Sequence, residues 1–175
     1  TAPIMTMRSF ALEKFSGTYE TLMTSPVSDL QVVLAKFTGA LVFFCLTWWP
    51  LLLYIVIIRH YCHDPVLLDP LALASTFLGM TLVGSLYLSL GCLASALTRS
   101  QIVAVILSYA LGLALFLLSL RALMAAPPSG MAAKIFSYIS MTEHMQDFAQ
   151  GVVDTRCLVY YSSLTAFFLF VTLKV

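Results

Sequence analysis

Charged residues are spaced so unevenly along this 175-residue chain that four long stretches hold none: residues 37–58, 71–98, 100–120 and 157–173. The first three reach the ~20 residues that a helix needs to cross ~30 Å of hydrocarbon, and the last falls within the ~17–25 range. The pattern predicts an all-α, polytopic membrane helical bundle with spans over about 32–58, 71–97, 101–120 and 158–173. Nothing reads as a strand, and no internal repeat is present.

The polar segments between these stretches carry their own start and stop signals. Residues 9–15 read as helical, and Gly17 interrupts them. Thr18 then caps a short helix over 19–24, with Glu20 in the first turn where the helix dipole favours an anion. Pro26 ends it by forcing its predecessor out of the α region. Ser28-Asp29-Leu30-Gln31 is an S-x-x-Q capping box that opens the first span, with Lys36 as an interface anchor and Pro50 as a kink. Residues 59–70 form a polar loop bounded by prolines, and Thr98-Arg99-Ser100 a tight turn. After a break at 125–130, two short helices are expected over 131–139 and 142–150, with Thr142 as N-cap and Gly151 as the stop. Their apolar positions Ile135, Ile139, Met145 and Phe148 suit partial burial at the bilayer surface. The chain thus divides into a polar helical segment, 1–31, and a membrane part, 32–175, whose 131–151 segment lies on the far side. Residues 1–8 read as the tail of a preceding span, so at least one further span is expected upstream.

Composition supports lipid as the solvent. The chain is 61% hydrophobic and 10% charged, against roughly 45–50% and 25% in soluble domains. A net charge of +1 gives no reason to expect nucleic acid as a partner. Placing the N-terminal segment in the cytoplasm puts Arg8, Lys14, Lys36, Arg99 and Lys174 inside, against Arg59, Arg121, Lys134 and Arg156 outside. That small bias follows the positive-inside rule. Tyr54, Tyr61, Tyr160 and Tyr161 would then form an outer aromatic belt, and mid-span Trp48 and Trp49 are assigned to packing. Cys45 and Cys92 read as small buried residues, whereas Cys62 and Cys157 share the outer face, where a disulfide is open to them.

The chemistry-bearing residue types do not assemble into a catalytic, cofactor or metal site. The spans lack the intramembrane Asp and His of proton-coupled carriers and membrane proteases. Gly79 to Ser85 has phosphate-loop spacing without the lysine, inside a span, so any ATP belongs to another chain. His60-Tyr61-Cys62-His63-Asp64, with His144, reads as ordinary polar loop. Small residues recur through the second span at Ser75, Gly79, Gly84, Ser85, Ser89, Gly91, Cys92 and Ser95. They serve close helix packing or a polar stripe along a path. The 13–25 stretch, with Tyr19, Leu22 and Met23 on one face, is either a surface helix or a helix that docks into a partner.

Glu13-Lys14-x-x-Gly17-Thr18-x-Glu20-x-Leu22-x-x-Ser25-Pro26-Val27-Ser28, with Lys36 at the mouth of a span, resembles the cytoplasmic signature of ABC-2 type transporter permeases. Three later blocks agree in order: Leu97-Thr98-Arg99-Ser100-Gln101, then His144-x-x-Asp147-Phe148-x-x-Gly151-Val152-x-Asp154, then Tyr160-Tyr161 with the Phe-rich run. Within the family the likeness is greatest to gliding-motility-associated permeases. It implies a type V exporter-like, six-span subunit of the cytoplasmic (inner) membrane, paired with a second copy or a paralogue and with two ABC ATPase subunits that bind the ATP. Glu13, Thr18, Glu20, Leu22, Met23, Ser25 and Pro26 would form the coupling helix on the ATPase. His144, Asp147, Phe148 and Gly151 would belong to outer re-entrant helices that close the path. Phe15 departs from the pattern, since relatives often carry a basic residue there. Two other readings remain open: a scaffold or motility subunit of the same fold that moves no solute, and a membrane-embedded enzyme.

Overall fold

The computed structural model describes residues 2–6, 10–11, 28–61, 69–124 and 140–175. All the elements in these residues are helices: α1 (Ala2–Thr6), α2 (Asp29–Thr47), α3 (Trp49–Tyr61), α4 (Pro70–Leu97), α5 (Gln101–Met124), α6 (Met141–Ala149) and α7 (Thr155–Lys174). Four apolar stretches are long enough to cross a bilayer: Asp29–Ile58, Pro70–Leu97, Gln101–Leu120 and Thr155–Lys174. The 13–26 segment, the helix expected over 131–139, and Cys62, His63 and Asp64 lie outside the described residues.

Local chemistry sets the helix boundaries. At the start of α2 the Ser28 N–H donates to Gln31 Oε1 at 3.3 Å, and Asp29 occupies the first turn. The first span pauses at Trp48, whose N–H turns back to the Cys45 carbonyl at 3.1 Å. Thr47 Oγ1 donates to the Phe44 carbonyl at 2.6 Å. Pro50 then has no N–H to give, and α3 restarts with proline in its first turn. Asp69 caps α4 by accepting from the Leu71 N–H at 3.0 Å, with Pro70 at the first helical position. Asp154 caps α7 in the same way through the Arg156 N–H, also at 3.0 Å.

α4 is the strut around which the others gather. It is 61% buried along its apolar stretch, whereas the first span is 6% buried. α1, α2, α5, α6 and α7 all pack on it. Its small residues explain why, because each glycine admits a bulky neighbour. Gly84 receives the Phe44 ring, Gly91 receives Thr6, and Gly79 receives Phe148. Without a hydrophobic drive between helices in lipid, such close approach supplies the contact. Ser85 and Ser89 return their hydroxyls to the Leu82 and Leu86 carbonyls of the same helix, both at 2.7 Å. These small residues serve close packing on α4.

Three apolar clusters line α4. Leu86, Phe148, Cys157 and Tyr161 meet on one side just past its middle, Ala2, Phe37, Phe44 and Leu88 on another at about the same level, and Phe10, Val33, Cys92 and Ala96 near its end. Four expectations are corrected here. Cys45 is exposed, because it lies on the face of α2 turned away from α4. Trp49 is 62% exposed, while Trp48 packs edge-on against Phe44 at 5.9 Å. Tyr161 is 1% exposed and so is no belt residue. Helix α6 is capped by Ser140, whose hydroxyl accepts from the Glu143 N–H at 3.4 Å, which makes Thr142 an interior residue.

Candidate functional site

Helix α6 is short and amphipathic, and it lies across the first half of α4. It is pinned at both ends by serine hydroxyls from other helices. Ser119 on α5 accepts the Met141 N–H at 2.7 Å, and Ser75 on α4 donates to the Phe148 carbonyl at 2.6 Å. Between these points Phe148 seats its ring on Gly79, burying itself to 1% exposure. The helix ends in a Schellman motif: the Val152 N–H reaches the Asp147 carbonyl at 2.9 Å, and the Gly151 N–H the Phe148 carbonyl at 3.1 Å. Gly151 sits at φ +82, where L side chains are strained.

The four residues expected in this segment thus divide. Phe148 and His144 point into the bundle, Asp147 is exposed, and Gly151 ends the helix. His144 lies edge-on to Tyr160 and Tyr161, with centroids 5.9 and 5.8 Å away, and its Nδ1 is 3.4 Å from the Tyr161 hydroxyl. Burial holds its pKa below the ordinary value, against the opposing pull of the Asp147, Glu143 and Asp154 carboxylates. Cys157 is a free thiol buried in the same cluster.

Beside α6 lies a cavity of about 430 Å³. Met80, Val83, Gly84 and Tyr87 of α4 form one wall, Phe44, Trp48 and Phe116 the others, and Met141, Thr142 and Met145 the side toward α6. Ala2 and Pro3 close it from the chain start. Its lining offers packing surface and few polar atoms. Trp48 Nε1 is buried without a hydrogen-bond partner among the described residues.

At the other end of α4 the chain arrives from α1 toward the 13–26 segment. Phe10 is buried there between Val33 of α2, Cys92 and Ala96 of α4, and Leu173 of α7. The Phe10 and Ala11 N–H groups both donate to Ser95 Oγ at 3.0 Å. Lys36 Nζ stands 4.1 Å above the centre of the Phe10 ring. Glu13, Thr18, Glu20, Leu22, Met23, Ser25 and Pro26 lie outside the described residues. Sequence reasoning missed Phe10, Ser119 and the pairing of Ser95. Ser140 was legible, because Ser140-Met-Thr-Glu143 is itself a capping-box pattern.

A family model described as "ABC-2 family transporter protein" matches residues 1–173. The chain belongs to the ABC-2 transporter family. Comparison with curated proteins gave no match, and comparison with solved structures gave none either. For an ABC-2 chain the four long apolar helices are membrane spans, and the protein is a multi-pass membrane protein. The α4 strut of this ABC-2 chain joins the Phe10 junction at one end to the α6 dock at the other.

Proposed function

We propose that the chain is the transmembrane permease subunit of an ATP-driven ABC-2 exporter in the cytoplasmic membrane. ATP is bound and hydrolysed on a partner ATPase, the chain carries no catalytic site or cofactor of its own, and a second permease copy or paralogue completes the path. Residues 13–26 are the coupling segment, with Glu20, Leu22 and Met23 bearing the contact, and the end of the molecule holding Lys36 faces the cytoplasm. α6 belongs to the outer re-entrant segment. The closer likeness to gliding-motility-associated permeases rests on the sequence blocks alone.

The family match over residues 1–173 carries this reading. The fold supplies a mechanism consistent with it. Work delivered at the coupling segment enters the bundle next to Phe10, and rigid-body displacement of α4 carries it to α6. The test is purification of the tagged chain, in mild detergent, from the membranes in which it occurs. An ATPase chain should co-purify with vanadate-sensitive hydrolysis. Substituting Glu20→Arg together with Leu22→Ala and Met23→Ala should release it, while membrane insertion stays intact. Absence of any ATPase from the complex would refute the reading, and so would a complex indifferent to the three substitutions.

A further inference from the structure

We propose that Ser95 is a positioning residue that fastens the approach to the coupling segment onto α4, forming with Phe10 and Lys36 a clamp between α2 and α4. The inference rests on the function proposed above and deepens it, by naming where motor displacement passes into the spans.

The geometry is specific to a clamp. Ser95 is 0% exposed and lies two residues before the end of α4. Its single oxygen accepts two successive backbone N–H groups, from Phe10 and Ala11, each at 3.0 Å. A serine hydroxyl has two acceptor sites, so one side chain can hold both donors. Ser95 therefore fastens this stretch of backbone to α4 across 84 residues of sequence. The Phe10 side chain completes the clamp from the other face. Its ring is 5% exposed, lies beneath the Lys36 ammonium of α2, and packs on Cys92 and Ala96 of α4.

One residue thus ties its backbone to α4 and its ring to α2, immediately before the segment that would meet the motor. A push arriving along the chain cannot be absorbed at Phe10 without breaking these bonds. α2 and α4 consequently move together at this end.

The test uses the full complex with its ATPase in nanodiscs, with spin labels at Asp29→Cys and Leu97→Cys, which are both exposed. Cys45, Cys62 and Cys157 are replaced in this background, and Cys92, fully buried against Phe10, is kept. With Ser95 intact, the distance distribution is expected to be the same in the resting complex and after vanadate trapping of nucleotide. Ser95→Ala is expected to leave the resting distribution unchanged but to shift or broaden the trapped one by about 2 Å or more, the scale of helix shifts at a switching interface. Ser95→Thr, which keeps the hydroxyl, should restore the intact behaviour. If Ser95→Ala fails to assemble, Phe10→Leu, which keeps an apolar plug but removes the ring beneath Lys36, runs through the same measurement. A trapped distribution like that of the intact protein would overturn the proposal. A distribution already altered at rest would also overturn it, because it would mark a contact that only holds the fold. Loss of the ATPase from the unsubstituted complex would instead sink the functional reading, and this inference with it.

Discussion

Adding one methyl group at Gly79 should lift α6 from the bundle. A Cβ there would lie 2.7 Å from Phe148 Cδ2, 2.9 Å from Cγ and 3.2 Å from Cβ. Rotating the ring does not clear Cγ or Cβ, so relief requires the helix backbone to shift at Phe148. That backbone is held by the Ser75 hydroxyl on its carbonyl at 2.6 Å. Overpacking of this kind costs about 1–3 kcal/mol, and replacing a mid-helix glycine by alanine returns about 1 kcal/mol. Because α4 is helical in both states, that return cancels, and the docked state should lose about 1–3 kcal/mol, which raises the undocked fraction roughly 5- to 150-fold. Cys157, 3% exposed in the cluster beneath Phe148, reports it. In a chain whose other three cysteines are replaced, the rate of maleimide modification tracks the open population when reclosing is fast. Gly79→Ala should accelerate labelling by that factor, and Phe148→Ala in the same chain should remove the added effect of the methyl. An unchanged rate in Gly79→Ala, or the same acceleration with Phe148 already truncated, would refute the argument.

The dock should also respond to pH. Burial holds His144 below its ordinary 6.5, so the undocked helix takes up a proton at higher pH than the docked one. Docking is therefore complete above about pH 6.5 and is lost as pH falls below it, through the lowered value. Cys157 labelling, measured relative to a His144→Phe chain from about pH 7.5 to about pH 5, should rise in the histidine protein alone; parallel profiles would remove His144 as the cause. Gly151→Ala places a side chain at φ +82 and should cost about 1 kcal/mol, with Gly151→Asn milder, as read by thermal unfolding in detergent. Equal midpoints for the Ala and Gly chains would show that the turn adopts another geometry.

The spans were legible because charge exclusion is a property of sequence alone, and the capping signals at Ser28 and Gly151 are local. What lay beyond reach was the face each residue presents. Cys45 and Cys92 have the same chemistry and the same apolar context, yet only Cys92 meets another helix, because α4 is enclosed and the first span is not. Tyr160 and Tyr161 carry the composition of an interfacial belt, but a histidine from α6 sits against them. The Ser95 contact joins residues 84 and 85 positions apart, so neither partner announces the other. At Ser140 and Thr142 the sequence offered two competent caps two residues apart, and the one followed by glutamate at the third position starts the helix.

The break at Trp48 has a consequence for how the protein meets membranes of different thickness. The Asp29–Ile58 span comprises 30 residues, about 45 Å of helix at 1.5 Å per residue, against a hydrocarbon slab of about 30 Å. A straight rod of that length would have to tilt steeply or deform the lipid around it. The interruption lets the Trp49–Tyr61 arm change its inclination independently of the Asp29–Thr47 arm, which stays seated on α4 through Phe37 and Phe44. Thinner bilayers should therefore fold this arm flatter and leave the seated half in place.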